Sequence, residues 1–480
     1  MKTQIIITLV SILINLNLIG QVQSLEWKEI HKESGDVLFL GVFDNGCHVI
    51  DKKVKNKSLY VLDSQGSIIL TKEADLSYEG KSLKPREVIE TKSGKYLYMA
   101  NLESKTSKFH VYVSKLEEEG MGKVNKLYSH SMQADMAYQY SSYFNQTGIS
   151  PGSFIYNIDS SLIAYVHEYT NEYHWGRSIG IVVFDENMDQ VWKKRFVIKE
   201  LKERSNPFSF KLMSSGNVYC LAQNYGDGSN PIALKSIKFT PEEYSLIDVS
   251  LPGFHLEDGS IFVPENEENI FGVGFYSSSE EFNSYEGLYV AQFDFGELTQ
   301  KIRPLKFEES LYEDFTPIKK IKDFPGISPD FQINEAISYN DELFGFNAER
   351  HSTSESTSGS SSNVMNRELI LPIFDKTSEM VDIMVIPKKE TLGLNDFDGY
   401  SMIPFSDGFY QYLYNYRSPS KEVLLKIVDF SLEAQTFSEY DLIEKGKSIY
   451  SYPRGEIRYA NGKYFILQQS DRGFQLGIIE

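Results

Sequence analysis

Apolar residues along this chain recur at alternate positions or in short unbroken runs, and the three-to-four-residue spacing of an amphipathic helix is nearly missing. Segments such as Ser161-Leu-Ile-Ala-Tyr-Val-His-Glu-Tyr169 and Ile179-Gly-Ile-Val-Val-Phe184 have the length and the β-branched and aromatic content of strands. The polar turn Asp185-Glu-Asn-Met-Asp-Gln190 separates the second of these from Val191-Trp-Lys-Lys-Arg-Phe-Val-Ile198, so the three predict a meander. Tyr and Phe number 31 each and suit a half-buried pleated surface. The chain is predicted to be all-β.

The same unit of four strands joined by polar turns recurs from end to end. Units begin near Val37, Glu87, Ser153, Phe208, Ser260, Phe331, Tyr400 and Glu456. Four-stranded units of ~40–50 residues with inserted loops are what a β-propeller blade requires. The expected architecture is a single β-propeller domain over residues 25–480, with eight blades favoured and seven the alternative. The last unit contains Glu456-Ile-Arg-Tyr459, Lys463-Tyr-Phe-Ile-Leu467 and Phe474-Gln-Leu-Gly-Ile-Ile479, one strand short of four. Leu25-Glu-Trp-Lys-Glu-Ile30 has the look of the missing strand, so a ring closed by the N-terminal strand is expected, since closure removes an exposed sheet edge. Loop insertions are expected near 129–152, with Tyr138, Tyr140, Tyr143 and Phe144, and near 351–363. The Ser/Thr-rich stretch Ser352 to Ser362 inside the second reads as a flexible surface loop.

The first residues change the compartment. Lys2, the apolar run Ile5 to Ile19 and the polar stretch Gly20 to Ser24 have the order of a secretory signal peptide, assigned to residues 1–24. A membrane anchor is the alternative, but Asn15 and Asn17 interrupt a run already short for a span. The mature protein is therefore expected to be secreted or periplasmic, with no stable membrane insertion. A formal net charge of −19 argues against nucleic acid, which clustered Lys and Arg grip through phosphates, and suits a soluble monomer. Cys47 and Cys220, the two cysteines, could form one bridge in an oxidising compartment. Two small buried thiols are the reading preferred here.

The segments Gly180-Ile-Val-Val-Phe-Asp-Glu-Asn-Met-Asp-Gln-Val-Trp-Lys-Lys-Arg-Phe196, Asn269-Ile-Phe-Gly-Val-Gly-Phe-Tyr-Ser277, Tyr285-Glu-Gly-Leu-Tyr-Val-Ala-Gln-Phe-Asp294 and Ile383-Met-Val-Ile-Pro-Lys-Lys389 carry a resemblance. In strand and turn pattern, over about half the chain, the sequence resembles a family of uncharacterised exported bacterial β-propeller proteins. The resemblance implies a propeller fold and export. It implies no catalytic residues, and the loop that is often Tyr-rich in that family is Ser/Thr-rich here at 352–362.

A Gly-x-Ser-x-Gly elbow, His-Glu-x-x-His, a P-loop and a dinucleotide fingerprint after a strand are missing, as are the Trp-Asp ends of WD40 blades and the paired glycines of kelch. His167, Glu168, Glu172 and His174 are ligand types that Zn²⁺ takes, but they flank a hairpin turn, and a solvated turn is the expected reading. Asp185, Asn187 and Asp189 alternate as a calcium loop begins, yet lack its turn Gly and distal Glu, so a polar hairpin turn is expected. Asn395 to Gly399 is read the same way. Tyr410, Tyr412, Tyr414 and Tyr416 share one face of a strand, either for packing between blades or for stacking on sugars or peptides. Asn56-Lys-Ser58 and Asn145-Gln-Thr147 match glycosylation acceptors, which matter only in a eukaryotic secretory pathway. No catalytic, cofactor or metal residues are assigned. The expected function is non-catalytic binding of a protein, peptide or glycan; the alternative is an extracytoplasmic enzyme acting on glycans with acids around the central channel.

Overall fold

A computed structural model describes residues 26–31, 37–51, 58–63, 67–103, 106–131, 152–169, 177–201, 206–225, 231–278, 284–308, 326–338, 343–355, 362–386, 400–406, 409–417, 423–431, 436–441, 450–451, 457–460, 463–470 and 473–479. Among the described residues there are strands, turns and no helix. The assigned signal peptide, Glu172, His174, Asn395 to Gly399 and both glycosylation acceptor asparagines lie outside them. No helix of the described residues is long and apolar enough to cross a membrane.

Most strands form successive four-stranded antiparallel sheets, each a meander in chain order, beside a five-stranded sheet that holds both the N-terminal and C-terminal strands and a two-stranded pair, Ser77–Tyr78 with Lys81–Ser82. First strands begin at Val37, Lys84, Gly152, Asn206, His255, Phe331, Tyr400 and Ile457, close to the unit starts read from the sequence. The largest offset is in the fifth sheet, whose first strand runs His255–Phe262, so Ser260 lies inside it. A bulge between Glu257 and Ser260 breaks the alternation there, hiding the strand's beginning from a period-two reading. First strands of the second, fourth and sixth sheets also carry register shifts, at Pro85/Glu87, Phe208/Lys211 and Ile333/Glu335.

The chain divides into two compact units, one of residues 1–37, 62–69 and 397–480, the other of residues 38–61 and 70–396. In the second unit the second to fifth sheets bury both faces. Within the strand Leu162–Tyr169, Ile163 and Tyr165 pack toward the second sheet, while Ala164 and Val166 pack toward the fourth. Separate apolar cores lie between sheets one and two, two and three, three and four, four and five, and five and six. This two-sided burial explains why middle strands such as Ile270–Ser277 are buried at every position rather than at alternate ones. Each large side chain buried there contributes about 1.5–3 kcal/mol. First strands of sheets three to six pack in sequence, Gly152–Tyr156 on Asn206–Leu212, that on His255–Phe262, and that on Phe331–Ser338. One bulge acts as a fastener: Ser209, at φ 52°, accepts a hydrogen bond from the Ile261 backbone N–H at 2.9 Å and lies 2.8 Å from the Ser260 hydroxyl.

In the first unit, Tyr400–Ser406, Phe409–Arg417, Val423–Ser431 and Thr436–Asp441 make one sheet. Ile457–Ala460, Lys463–Ser470 and Gly473–Ile479 belong to the other, a five-stranded sheet in which Tyr450–Ser451 also pairs with Lys463–Ser470 and the N-terminal strand Glu26–His31 pairs with Gly473–Ile479. Glu26 pairs with Ile478, Trp27 with Gly477 and Lys28 with Leu476, and an irregularity sits between Glu29 and His31.

The Ser/Thr-rich stretch expected to be a loop is in part strand. Ser352, Thr353, Ser354 and Glu355 pair with Met365, Val364, Asn363 and Ser362, extending the hairpin of the sixth sheet beyond its apolar part. A ladder once in register continues at little cost through β-branched Thr353 opposite Val364. The insertion expected from 129 likewise begins later, because the strand Gly120–Ser131 runs through Ser129.

Cys47 and Cys220 are buried on the second strands of the first and fourth sheets, and no disulfide joins them. Burial pushes the Cys47 thiol up to about 12. Iodoacetamide at about pH 8 should therefore leave Cys47 unmodified in the native protein, since the thiolate is the nucleophile. Unfolding without reductant should then expose two alkylatable thiols per chain, and an intramolecular disulfide peptide in the digest would contradict this placement.

Candidate functional site

In an antiparallel meander, the turns joining strands one to two and three to four fall at one end of a sheet and all other connections fall at the opposite end. In the second unit these ends differ. Turns at the first are short, 92–93, 157–161, 213–217 and 240–243 among them. The opposite end carries the long connections 132–151, 307–330 and 387–399, with 170–176 and 278–286 between them.

Successive sheets are fastened at the short-turn end by side chains on the turns. Thr91 donates to the Glu186 carbonyl at 2.8 Å, and the Lys92 backbone N–H donates to the Ser160 carbonyl at 3.0 Å. The Asn157 amide donates to the Ser214 hydroxyl at 3.1 Å, and that hydroxyl donates to Glu265 at 2.9 Å. Glu267, at φ 54°, accepts from Asn217 at 2.8 Å and from Tyr219 at 2.6 Å, with Lys238 at 3.8 Å. Burial alone would raise the Glu267 carboxyl, but hydrogen bonds from Ser215, Tyr219 and Asn217 and the Lys238 charge hold it below its ordinary value. A cleft of about 460 Å³ lies beside it, lined by Tyr219, Lys238, Asn269, Gln292 and Asp294.

Asp185 belongs to this end. Its carboxylate accepts from the backbone N–H groups of Asn187 and Asp189, each at 2.9 Å, and Met188 takes φ 68°. Asp375 does the same for Thr377 and Glu379, and Asp294 for Gly296 and Glu297. The alternation that begins a calcium loop is thus the chemistry of a recurring hairpin turn.

The long-connection end is built differently. Second strands carry buried Ile163, Val218, Phe271 and Phe344 near the short-turn end and His167, Gln223, Ser277 and Arg350 toward the other, opposite Gly152, Asn206, His255 and Phe331 of the first strands. All four polar residues are nonetheless buried. Buried polar side chains need partners and are expensive to keep, so their repetition under one end marks it as the place where composition departs from packing.

Two nests stand out. Between sheets five and six, Arg350 and Glu368 form an ion pair at 3.1 Å with side chains 3% and 1% exposed, and Ser277, Ser284 and Ser328 are buried at the same end. Between sheets two and three, the imidazoles of His130 and His167 stack at 4.1 Å, 29° from parallel. Tyr128 and Tyr165 each lie 5.4 Å from the His167 ring. Gly152 permits this approach, because a Cβ there would fall 2.6 Å from the Tyr165 ring. His110 holds Ser129 at 2.8 Å through Nδ1 and faces Glu103 at 3.7 Å through Nε2. Hydrogen bonds from Thr106 and Lys81 hold the Glu103 carboxyl down to about 2.

His167 was singled out from the sequence with Glu168, Glu172 and His174; the structure joins it instead to His130, which sequence reading missed. Among the described residues no group of three or more His, Cys, Asp or Glu is arranged to hold a metal ion. The four tyrosines Tyr410 to Tyr416 alternate along Phe409–Arg417 and therefore share a face by register, opposite Phe430, Val428, Lys426 and Leu424.

No family model matches the chain, and no curated protein matches it. Among solved structures, prolyl oligopeptidase B from Galerina marginata is similar at 11% identity and TM-score 0.42, over 95% of this chain and 55% of that one. This chain thus spans about half the length of that enzyme. The β-propeller domain of the Trilobed protease from Pyrococcus furiosus is similar at 10% identity and TM-score 0.37, over 89% of this chain and 100% of that one. The WD40 domain of SCAP from fission yeast is similar at 9% identity and TM-score 0.39, over 95% of this chain and 94% of that one. Likeness at this level assigns neither a family nor an activity.

Proposed function

We propose that the chain is an exported, non-catalytic β-propeller that binds a protein, peptide or glycan through its long-connection end. In this reading the four-stranded sheets are blades of one ring, eight in number with seven the alternative, and the N-terminal strand closes it. Residues 1–24 direct export, the mature protein is a monomer outside the cytoplasm, and the chain belongs with the exported bacterial propellers its strand and turn segments resemble. Sequential packing of first strands supports the ring, as does the place of Glu26–His31 in the last sheet.

The observation that carries the binding role is the contrast between the two ends. A scaffold fastened by short turns at one end and bearing long connections over buried polar residues at the other is how a rigid fold presents variable recognition loops. Mature protein beginning at Leu25, its cleavage checked by intact mass, should bind on glycan or peptide arrays at neutral pH. Replacing 133–150 by a short Gly/Ser turn should abolish that binding and leave the melting temperature unchanged. Binding that survives this replacement and a matching replacement of 309–325 would sink the reading.

One observation favours the enzyme alternative. Glu87, on the first strand of the second sheet, is open to solvent, yet desolvation by the protein around it raises its carboxyl above the ordinary value, as suits a general acid. Turnover of a sugar polymer that is lost in Glu87→Gln would replace the binding role by catalysis.

A further inference from the structure

His130 and His167 end their strands beside two of the long connections. His130 lies next to the last residue of Gly120–Ser131, which leads into 132–151, and His167 lies two residues before the end of Leu162–Tyr169, which leads into 170–176. Their rings meet face to face between sheets two and three, 5% and 1% exposed as whole residues. Neutral imidazoles tolerate this contact. A proton on either ring places a cation in an aromatic nest walled by Phe109, Tyr128 and Tyr165.

We propose that the His130–His167 stack is a proton-operated latch between sheets two and three: closed at neutral pH, opened when acid charges the pair.

The groups that face the pair set the direction. From the second sheet come His110, with Glu103 at 3.7 Å and the Lys126 and Lys81 charges acting on it, and the Tyr128 ring. From the third come Tyr165 and the Arg195 guanidinium, whose charge adds to that of His130 in opposing a proton on His167. Burial, only partly offset by a hydrogen bond to the Ser131 backbone, holds the His130 imidazole down to about 4, and burial holds His167 well below its ordinary value. An imidazole released to water titrates near 6.5, so the open state takes up protons more readily than the closed one. The open population therefore rises as pH falls from about 6.5 toward about 4, by up to roughly two orders of magnitude for one such histidine. Above that window proton uptake favours neither state, and the latch stays closed.

Hydrogen–deuterium exchange on the mature chain, without ligand and corrected for the intrinsic rate, reads the latch directly. Peptides covering 126–131 and 162–169 should lose protection by about tenfold or more between about pH 7 and pH 4.5, and regain it on return to neutrality, while peptides of sheets five and six stay protected. The double variant His130→Gln/His167→Gln should show no such change. Unaltered protection in the wild type, or the same loss in the variant, overturns the latch. Should the variant not fold, histidine-selective ¹³C NMR of the wild type decides: two imidazoles titrating together well below the ordinary range support the latch, and two titrating near 6.5 overturn it. Because no ligand is present, an unmoved exchange profile leaves the binding role standing, and failure to bind on arrays leaves the exchange result intact.

Discussion

Glu368→Gln should lower the melting temperature by roughly 10 °C, the effect of losing about 3–5 kcal/mol in a large domain. Glu368 and Arg350 are all but inaccessible, and Arg350 Nη1 donates to Glu368 Oε2 at 3.1 Å. Arg350 Nε is also buried and donates to no described residue. Without the carboxylate charge, the guanidinium stays buried with its principal compensation gone. Desolvation dominates, because a buried charge left uncompensated is penalised more heavily than the pair was ever favoured. Arg350→Met/Glu368→Leu should accordingly recover most of the loss. Differential scanning calorimetry of the three proteins checks both parts, and a double variant less stable than the single one would contradict this account of the pair.

Protein beginning at residue 32 should aggregate or lose cooperative unfolding. The ladder from Glu26–Ile478 to His31–Phe474 covers the outer edge of Gly473–Ile479. Uncovered, that strand presents Gly-Phe-Gln-Leu-Gly-Ile-Ile, with no charge and no proline, to solvent and to other chains. A synthetic peptide of residues 25–31 added during refolding should restore solubility by pairing in trans. Light scattering and denaturant melts provide the readout, and a soluble, sharply melting truncation would show that the edge needs no cover.

Much of the sheet order was legible from the chain alone. The starts at Val37, Phe331 and Tyr400 coincide with first strands because alternation and turn residues act over a few neighbours. Asp185 read as a turn for the same reason, its partners Asn187 and Asp189 lying within four residues. Legibility failed where the local signal was weak or interrupted. The bulge between Glu257 and Ser260 shifts the period, and Ser352 to Glu355 have loop composition yet pair because the hairpin above them is already in register. It failed too at His167, whose sequence neighbours Glu172 and His174 lie outside the described residues while its ring partner comes from another sheet.

By itself, then, the sequence determined the all-β character, the succession of meanders and the chemistry of their turns, since each depends on residues close in the chain. Tertiary structure alone decided that His130 meets His167, that Ser214 links Asn157 to Glu265, and that Arg350 and Glu368 are buried together. Those contacts depend on which sheet packs against which face, and apolar burial drives sheet on sheet without regard to the polar residues carried at the strand ends. His130 reads as one more polar residue at the end of a strand until the third sheet arrives beside the second.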